Sequence, residues 1–141
     1  MPVGNTPADS GWTTRKPKAS KPEIRLTSGK GLADLTVPLS ELINAVVTQN
    51  PVVAFIKGTR AAPECGFSKR LILNLEECGC PYEVLNVLDV TYNQGLREAI
   101  KVYSAWPTIP QLYAHGEFLG GADITAEMHE RGELKTKLST K

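Results

Sequence analysis

The sequence predicts an α/β domain in which a mixed four-stranded sheet is flanked by helices. From Pro38 onward, segments with apolar residues at helical spacing alternate with short β-branched runs, the pattern of parallel strands joined by helical crossovers. Further along, His115-Gly116 separates two short apolar runs, which indicates an antiparallel hairpin. Together these observations predict parallel pairing in the first half of the domain and antiparallel pairing in the second.

Composition limits the classes of function. The chain has 141 residues, a net charge of +1 and a pI near 7.7, so it lacks the strong positive field that favours nucleic acid or anionic membranes. Its longest apolar stretch is Val52 to Ile56, far short of the roughly 18 residues of a membrane span. Three cysteines cannot all pair within one chain, which favours a reducing compartment. We expect a soluble protein that binds neither nucleic acid nor membrane.

The first 35 residues differ from the rest of the chain. They contain four prolines and many Ser, Thr, Lys and Gly residues without a helical or strand period. We therefore expect residues 1–35 to form a disordered arm and residues 36–141 to form the folded domain. The first 25 residues are basic and rich in hydroxyl groups, as in a transit peptide. A solvated tail and the remnant of a cleaved presequence are the alternatives.

Each element of the first half follows from a local signal. Apolar residues at helical spacing between Pro38 and Asn50 predict a helix, and the run 52–57 predicts a strand buried on both faces. A second helix is predicted to begin at Cys65, because Leu71, Leu75 and Cys78 share one helical face. Gly79 ends that helix.

The second half continues with short elements. The runs 82–90 and 106–114 predict strands, with a helix over 93–104 between them. The run 117–121 is the hairpin partner, and a last helix is predicted to be capped by Asp123 and broken at Gly132. The resulting order, α-β-α-β-α-β-β-α, is that of the thioredoxin-like architecture.

Cys65 is the candidate reactive residue. A cysteine at a helix N-terminus meets free backbone N–H groups and the positive end of the helix dipole, both of which stabilise a thiolate. A thiolate serves either as a nucleophile or as a ligand for a soft metal site, and the pattern leaves both open. Ser68 stands where a dithiol oxidoreductase has its second cysteine, so any resolving thiol must be a small molecule, Cys78, Cys80 or another protein.

The remaining cysteines and histidines give weaker signals. We expect Cys78 to pack in the core and Cys80 to be exposed in a turn without a functional role. The Cys-Gly-Cys pair lacks ligand spacing with His115 and His129, so no structural zinc site is expected. Trp106 is interpreted as a structural wall residue.

Four motifs in register resemble the monothiol CGFS-type glutaredoxins. They are KGT at 57–59, CGFS at 65–68, WPTIPQLY at 106–113 and GEFLGGADI at 116–124. The resemblance covers roughly residues 38–138. The chain departs from it at Ala122, where many relatives carry a second cysteine, and in the loop 59–64.

The resemblance implies a glutathione groove beside Cys65. It implies that Lys57 pairs with the glycine carboxylate of glutathione, with Arg97 as a second positive contact, and that Ile109 before a cis Pro110 pairs with the tripeptide backbone. We expect Phe67 to shield the cysteine. The resemblance also implies that Gly120 and Gly121 permit close approach of the tripeptide and that Ala122 with Asp123 holds its γ-glutamyl end.

Two functions follow from that resemblance. In the first, Cys65 of two protomers and two glutathiones ligate a [2Fe-2S] cluster that is delivered to recipient apoproteins. In the second, Cys65 acts in glutathione-dependent thiol-disulfide exchange, so enzymatic turnover is left open. A third hypothesis is an interaction module on the same face. The Thr59-Arg60 pair resembles plastid members of the family, and residues 128–134 resemble mitochondrial ones. We therefore expect an organellar protein and favour the plastid.

Overall fold

A four-stranded sheet forms the centre of the computed structural model, which describes residues 21–27, 29 and 35–139. Across the sheet the order is β2-β1-β3-β4. Strand β1 is parallel to β2 and antiparallel to β3, which is antiparallel to β4. The predicted mixed sheet of the thioredoxin-like fold is confirmed. Its strands are β1 (Val52–Ile56), β2 (Glu83–Asn86), β3 (Gln111–Ala114) and β4 (Glu117–Gly120).

Helices cover both faces of the sheet. They are α1 (Leu39–Gln49), α2 (Gly66–Cys78), α3 (Leu96–Ser104), α4 (Ala122–Glu130) and α5 (Leu134–Ser139). One apolar cluster joins α1 and α3 to the sheet through residues such as Ile43, Phe55 and Ile100. A second cluster joins α2 and α5 to the other face through Leu75 and Leu138. Because both clusters draw on β1, all five of its residues are buried, which explains its continuous apolar sequence. No helix in the described part of the chain is long and apolar enough to cross a membrane.

Two predicted strands are shorter in the structure. The run 106–114 is a strand only from Gln111, because Pro107 and Pro110 have no backbone N–H to donate to a ladder. The run 82–90 is a strand only over Glu83–Asn86. Beyond it, Asp89 Oδ1 accepts hydrogen bonds from the N–H groups of Thr91 and Tyr92, each at 3.0 Å. That side chain therefore stabilises a turn in place of further strand.

The start of the last long helix also differs from the prediction. Gly121 occupies the N-cap position of α4, without a side-chain cap, and Asp123 lies in the first turn. The prediction that Asp123 caps this helix is therefore wrong. As predicted, Gly132 ends the helical run with a φ of 73°, and α5 follows as a separate helix.

Part of the predicted disordered arm contacts the domain. Ile24 N–H donates to the carbonyl oxygen of Val84 at 2.8 Å, and Leu26 N–H donates to Asn93 Oδ1 at 2.9 Å. The Ile24 and Leu26 side chains pack against the α1–α3 cluster. The expectation of disorder is therefore corrected for residues 21–27, whose short apolar side chains find partners far along the chain. The rest of the predicted arm lies outside the described residues, apart from residues 29 and 35.

Candidate functional site

A groove of about 390 Å³ runs past Cys65 at one end of the sheet. Every site residue predicted from the sequence lines it except Arg97. The lining also includes residues that the sequence reasoning did not single out as ligands: Lys101, Pro107, Thr108 and Ile124. Pro107 and Thr108 belong to the WPTIPQLY motif. Their position in that motif is the sequence feature that could have identified them as lining residues.

Cys65 is the N-cap of α2. Its backbone is extended, and the helix begins at the next residue without a side-chain cap. Its sulfur is half-buried and faces the first-turn N–H groups that have no partner within the helix. The helix thus starts one residue after the predicted position, with Cys65 as its N-cap, and the thiol lies at the positive end of the helix dipole.

The electrostatic environment of Cys65 favours the thiolate. Partial burial acts to raise the pKa of the thiol, but the net shift is downward. The backbone N–H groups of Ser68 and Phe67 and the Ser68 hydroxyl donate to the sulfur, and the Lys57 ammonium contributes an attractive charge. Hydrogen bonds to the charged form lower a thiol pKa. Cys65 is therefore ionised at a lower pH than an ordinary cysteine.

Ser68 connects the cysteine to β1. The residue is fully buried, and its hydroxyl oxygen accepts a hydrogen bond from Lys57 N–H at 3.1 Å. The hydroxyl hydrogen is then free to point at the Cys65 sulfur. The residue that replaces the second cysteine of a dithiol motif thus stabilises the first.

Substituting Ser68 with Ala tests this connection. We expect the pKa of Cys65 to rise because the thiolate loses a donor, and the fold to lose about 1–3 kcal/mol because Lys57 N–H is left without an acceptor. The pH dependence of Cys65 alkylation, measured in a chain with Cys78→Ala and Cys80→Ser, reports the pKa. Lys69→Ala is the control, since this exposed lysine is not among the groups that shift the pKa of Cys65. An unchanged alkylation profile in Ser68→Ala would show that the hydroxyl does not act on the sulfur.

A second helix N-terminus points into the same groove. The first residues of α4 are Ala122 and Asp123, and its uncapped start follows Gly121. A Cβ on Gly121 would lie 3.2 Å from the Pro110 carbonyl oxygen and 3.5 Å from Trp106 Nε1, so the backbone approaches the wall closely. Free N–H groups at a helix start bind carboxylates. The groove therefore offers an anion site some distance from the thiol.

The walls of the groove are largely apolar. Trp106 forms one wall, and its buried Nε1–H has no hydrogen-bond partner among the described residues. The Ile109–Pro110 peptide bond is cis, as the resemblance implied. At the rim, the side chains of Phe67 and Ile124 are 56% and 37% exposed. This combination of an apolar wall, an orphaned donor and exposed apolar rim residues suits a bound molecule better than bulk water.

Two lysines supply the positive charge of the groove. Lys57 follows β1, and Lys101 projects from α3. Arg97 lies one turn earlier on α3, is exposed, and is not part of the lining. The sequence reasoning missed Lys101, although its position four residues after Arg97 places both on one helical face.

The loop after β1 is held by contacts that the sequence did not reveal. Gly58 has a φ of 103°, its N–H donates to Asn86 Oδ1 at 2.9 Å, and it bridges to Pro63. Arg60 is only 4% exposed and donates from Nη2 to the Tyr82 carbonyl oxygen at 2.8 Å. These contacts fix the position of the loop between Lys57 and Cys65.

Neither of the other cysteines can reach Cys65 within the chain. Cys78 is the last residue of α2, and a helix of that length separates its ends by roughly 20 Å. Cys80 lies two residues further on. Among the resolving thiols considered from the sequence, the fold therefore leaves a small molecule or another protein.

The chain is similar to known proteins along its whole domain. The family model described as Glutaredoxin matches residues 52–119. A bifunctional monothiol glutaredoxin-S16 of Arabidopsis thaliana, named chloroplastic, is 49% identical over 99% of this chain, which spans 47% of that relative's length. An uncharacterized monothiol glutaredoxin of Synechocystis is 47% identical over 68% of this chain and 87% of its own. A mitochondrial monothiol glutaredoxin-S15 of Arabidopsis is 40% identical over 74% of this chain and 60% of its own.

Solved structures share the fold. The solution structure of reduced poplar apo GrxS14 superposes with a TM-score of 0.62, at 45% identity over 73% of this chain and 92% of its own. A buckwheat glutaredoxin-glutathione complex superposes with a TM-score of 0.62 over 71% of this chain and 86% of its own, at 23% identity. The second likeness concerns the fold alone.

Proposed function

The chain belongs to the monothiol glutaredoxins, and from this premise we propose that it binds glutathione in the groove beside Cys65 and carries a [2Fe-2S] cluster as cargo between two protomers. The main support for this proposal is the environment of Cys65. Cys65, with its lowered pKa, is the single thiol in the groove lining. A half-buried thiolate without a neighbouring thiol is suited to pairing with a sulfur that a bound molecule brings.

Glutathione has chemical groups that match the two ends of the groove. Its glycine carboxylate pairs with Lys57, with a further cation from α3, where Lys101 and Arg97 share one face. Its γ-glutamyl carboxylate meets the free N–H groups at the start of α4, beside Asp123. Between them, the backbone at Ile109 pairs with the tripeptide in the manner of an added strand. The glutathione sulfur then lies beside Cys65.

Lys57 is the first residue to test for glutathione binding. We expect Lys57→Gln to weaken binding by about tenfold to a hundredfold, because a charge-assisted hydrogen bond contributes roughly 1.5–3 kcal/mol. Calorimetry with glutathione and the reduced apoprotein measures the change. Lys69→Gln, which removes an exposed lysine of α2 outside the lining, is the matched control. Equal affinities for the two variants would contradict the role of Lys57.

Comparing variants of Arg97 and Lys101 identifies which of them is the second positive contact to glutathione. Arg97→Gln and Lys101→Gln each remove one positive charge from the same face of α3. We expect the double variant to bind glutathione more weakly than either single variant, and the stronger single effect identifies the direct contact. If the double variant binds like the wild type, α3 contributes no cation.

The cluster requires thiolates from outside the chain. An all-thiolate [2Fe-2S] cluster takes four sulfur ligands, and Cys65 supplies one. Two glutathione thiols and the Cys65 of a second protomer complete the set. The exposed Phe67 and Ile124 side chains beside Cys65 provide apolar surface for that protomer. Because half of the ligands are exchangeable small molecules, release to a recipient apoprotein is chemically easy.

The second candidate function uses the same thiolate in catalysis. The lowered pKa of Cys65 supports attack on the glutathione sulfur of a protein mixed disulfide. The protein thiolate leaves, and Cys65 becomes glutathionylated. A free glutathione then attacks this adduct, restores Cys65 and leaves as glutathione disulfide. Such deglutathionylation needs one cysteine and the groove, without a second protomer.

The relatives' names support the proposed location. Relatives named chloroplastic or mitochondrial support an organellar protein, and the Thr59-Arg60 similarity favours the plastid stroma. Recipient apoproteins with iron-sulfur sites are the expected partners. Fusion to a fluorescent protein, scored against plastid and mitochondrial markers, tests the location.

A further inference from the structure

A second group of thiols lies at the opposite end of α2 from Cys65. Cys78 ends the helix and is 4% exposed. Gly79 follows with a left-handed φ of 74°, and the half-buried Cys80 comes next. Chemistry at these thiols is therefore independent of the groove.

His129 of α4 faces Cys78 and is held by Glu77. Its Nε2 lies 2.6 Å from Glu77 Oε1, and its Nδ1 lies 3.8 Å from Cys78 Sγ. A carboxylate only accepts hydrogen bonds, so Nε2 carries the proton and donates it to Glu77. In the neutral ring Nδ1 is then an acceptor directed at the Cys78 thiol. This is the order of groups, carboxylate to imidazole to thiol, that activates a nucleophilic cysteine.

Cys80 is close enough to pair with Cys78. Its sulfur lies 3.9 Å from the Cys78 carbonyl oxygen and 3.6 Å from Ser139 Oγ. By helical geometry, Cα atoms two residues apart are separated by roughly 5.5 Å, inside the range of about 4.4–6.8 Å found for disulfides. Burial, and after it the charge of the Cys80 sulfur, raise the pKa of Cys78. A base next to Cys78 is needed for that reason.

An approach to Cys80 is open from solvent. A cavity of about 170 Å³ is bordered by Cys80, Tyr82 and Leu138, under the end of α5. A small disulfide can therefore meet the Cys80 sulfur while Cys78 stays covered.

We propose that Cys78 and Cys80 form a second redox site, which glutathione disulfide oxidises to an intrachain disulfide with His129 as the base. The Cys80 thiolate attacks one sulfur of glutathione disulfide, and one glutathione thiolate leaves. His129 then takes the Cys78 proton as the Cys78 sulfur attacks Cys80 and expels the second glutathione thiolate. Two protein thiols are oxidised, one glutathione disulfide is reduced, and both protons end on the two released glutathiones.

The full chain carrying Cys65→Ser tests the proposal, because its outcome does not depend on the groove. The reduced protein is incubated with glutathione disulfide, quenched with acid and analysed as intact protein and as peptides by mass spectrometry. We expect a loss of two hydrogens and a Cys78–Cys80 link within one chain. Free thiols, or a stable glutathione adduct on Cys80, would overturn the intrachain disulfide.

Further variants of the same chain test each role. Cys80→Ser should stay free of any intrachain link. Cys78→Ala should stop at the Cys80 adduct, with circular dichroism showing that the fold is kept. His129→Gln should accumulate that adduct and slow closure by about tenfold or more. The control is His115→Gln, since His115 contacts the Leu138 carbonyl oxygen instead. If His129→Gln and His115→Gln close at the same rate, His129 is not the base.

Discussion

Replacing Cys65 with Ser is expected to abolish cluster retention completely. Cys65 is the one thiol of the groove lining, and a serine hydroxyl neither ionises at neutral pH nor provides a soft ligand. Protein reconstituted anaerobically with glutathione, iron and sulfide should show visible absorption and a dimer for the wild type. The same treatment should leave Cys65→Ser colourless and monomeric.

The other two cysteines are the matched controls for this result. Cys78→Ser and Cys80→Ser lie at the far end of α2 and should keep both the colour and the dimer. Loss of the cluster in Cys80→Ser would contradict the assignment of the ligand set. Retention of a normal cluster in Cys65→Ser would remove Cys65 from that set.

Adding a single methyl group at Gly58 is expected to cause the largest loss of stability among substitutions in the groove loop. A Cβ there would lie 2.6 Å from both the Ala62 carbonyl oxygen and the Glu64 nitrogen, which are backbone atoms and cannot rotate away. The positive φ adds about 1–2 kcal/mol for an L-residue, and overpacking adds roughly 1–3 kcal/mol. We expect Gly58→Ala to lose about 2–5 kcal/mol, measured as the free energy of unfolding of the reduced apoprotein in urea.

Gly79→Ala separates the two causes. Gly79 also has a positive φ, of 74°, but a Cβ there would meet nothing within 4 Å. Its substitution should show the cost of the backbone conformation alone. If Gly58→Ala and Gly79→Ala are destabilised equally, close packing of the loop at Gly58 does not contribute.

The elements of the fold could be predicted because their signals are local. The spacing of Leu71, Leu75 and Cys78 determines the buried face of α2, and all three are buried. His115 and Gly116 both adopt positive φ at the hairpin, as that turn requires. By contrast, the contact of Ile24 with Val84 joins residues far apart in sequence and has no local pattern. For this reason the sequence predicted a disordered arm over residues 21–27, although Ile24 and Leu26 contact the domain.

The site was predicted in composition more than in geometry. The order and spacing of the four motifs predicted that Lys57, Cys65 and Gly121 line one groove, and all three do. The motifs gave no distances between these residues. Arg97 and Lys101 lie on one face of α3, so which of them enters the groove depends on how far the helix reaches along the groove, and helical periodicity does not give that position. His129 and Cys78 lie on different helices and are fifty-one positions apart in the sequence. The periodicity of either helix alone therefore does not predict their contact.

The central claim is that a cluster is bridged between two protomers by glutathione. Anaerobic reconstitution followed by sedimentation with simultaneous visible detection tests it most directly. The account predicts that colour travels with a dimer, that two glutathiones are recovered per dimer, and that omitting glutathione leaves a colourless monomer. A colourless monomer in the presence of glutathione, iron and sulfide, with rapid reduction of a glutathione mixed disulfide, would contradict the carrier function and favour thiol-disulfide exchange.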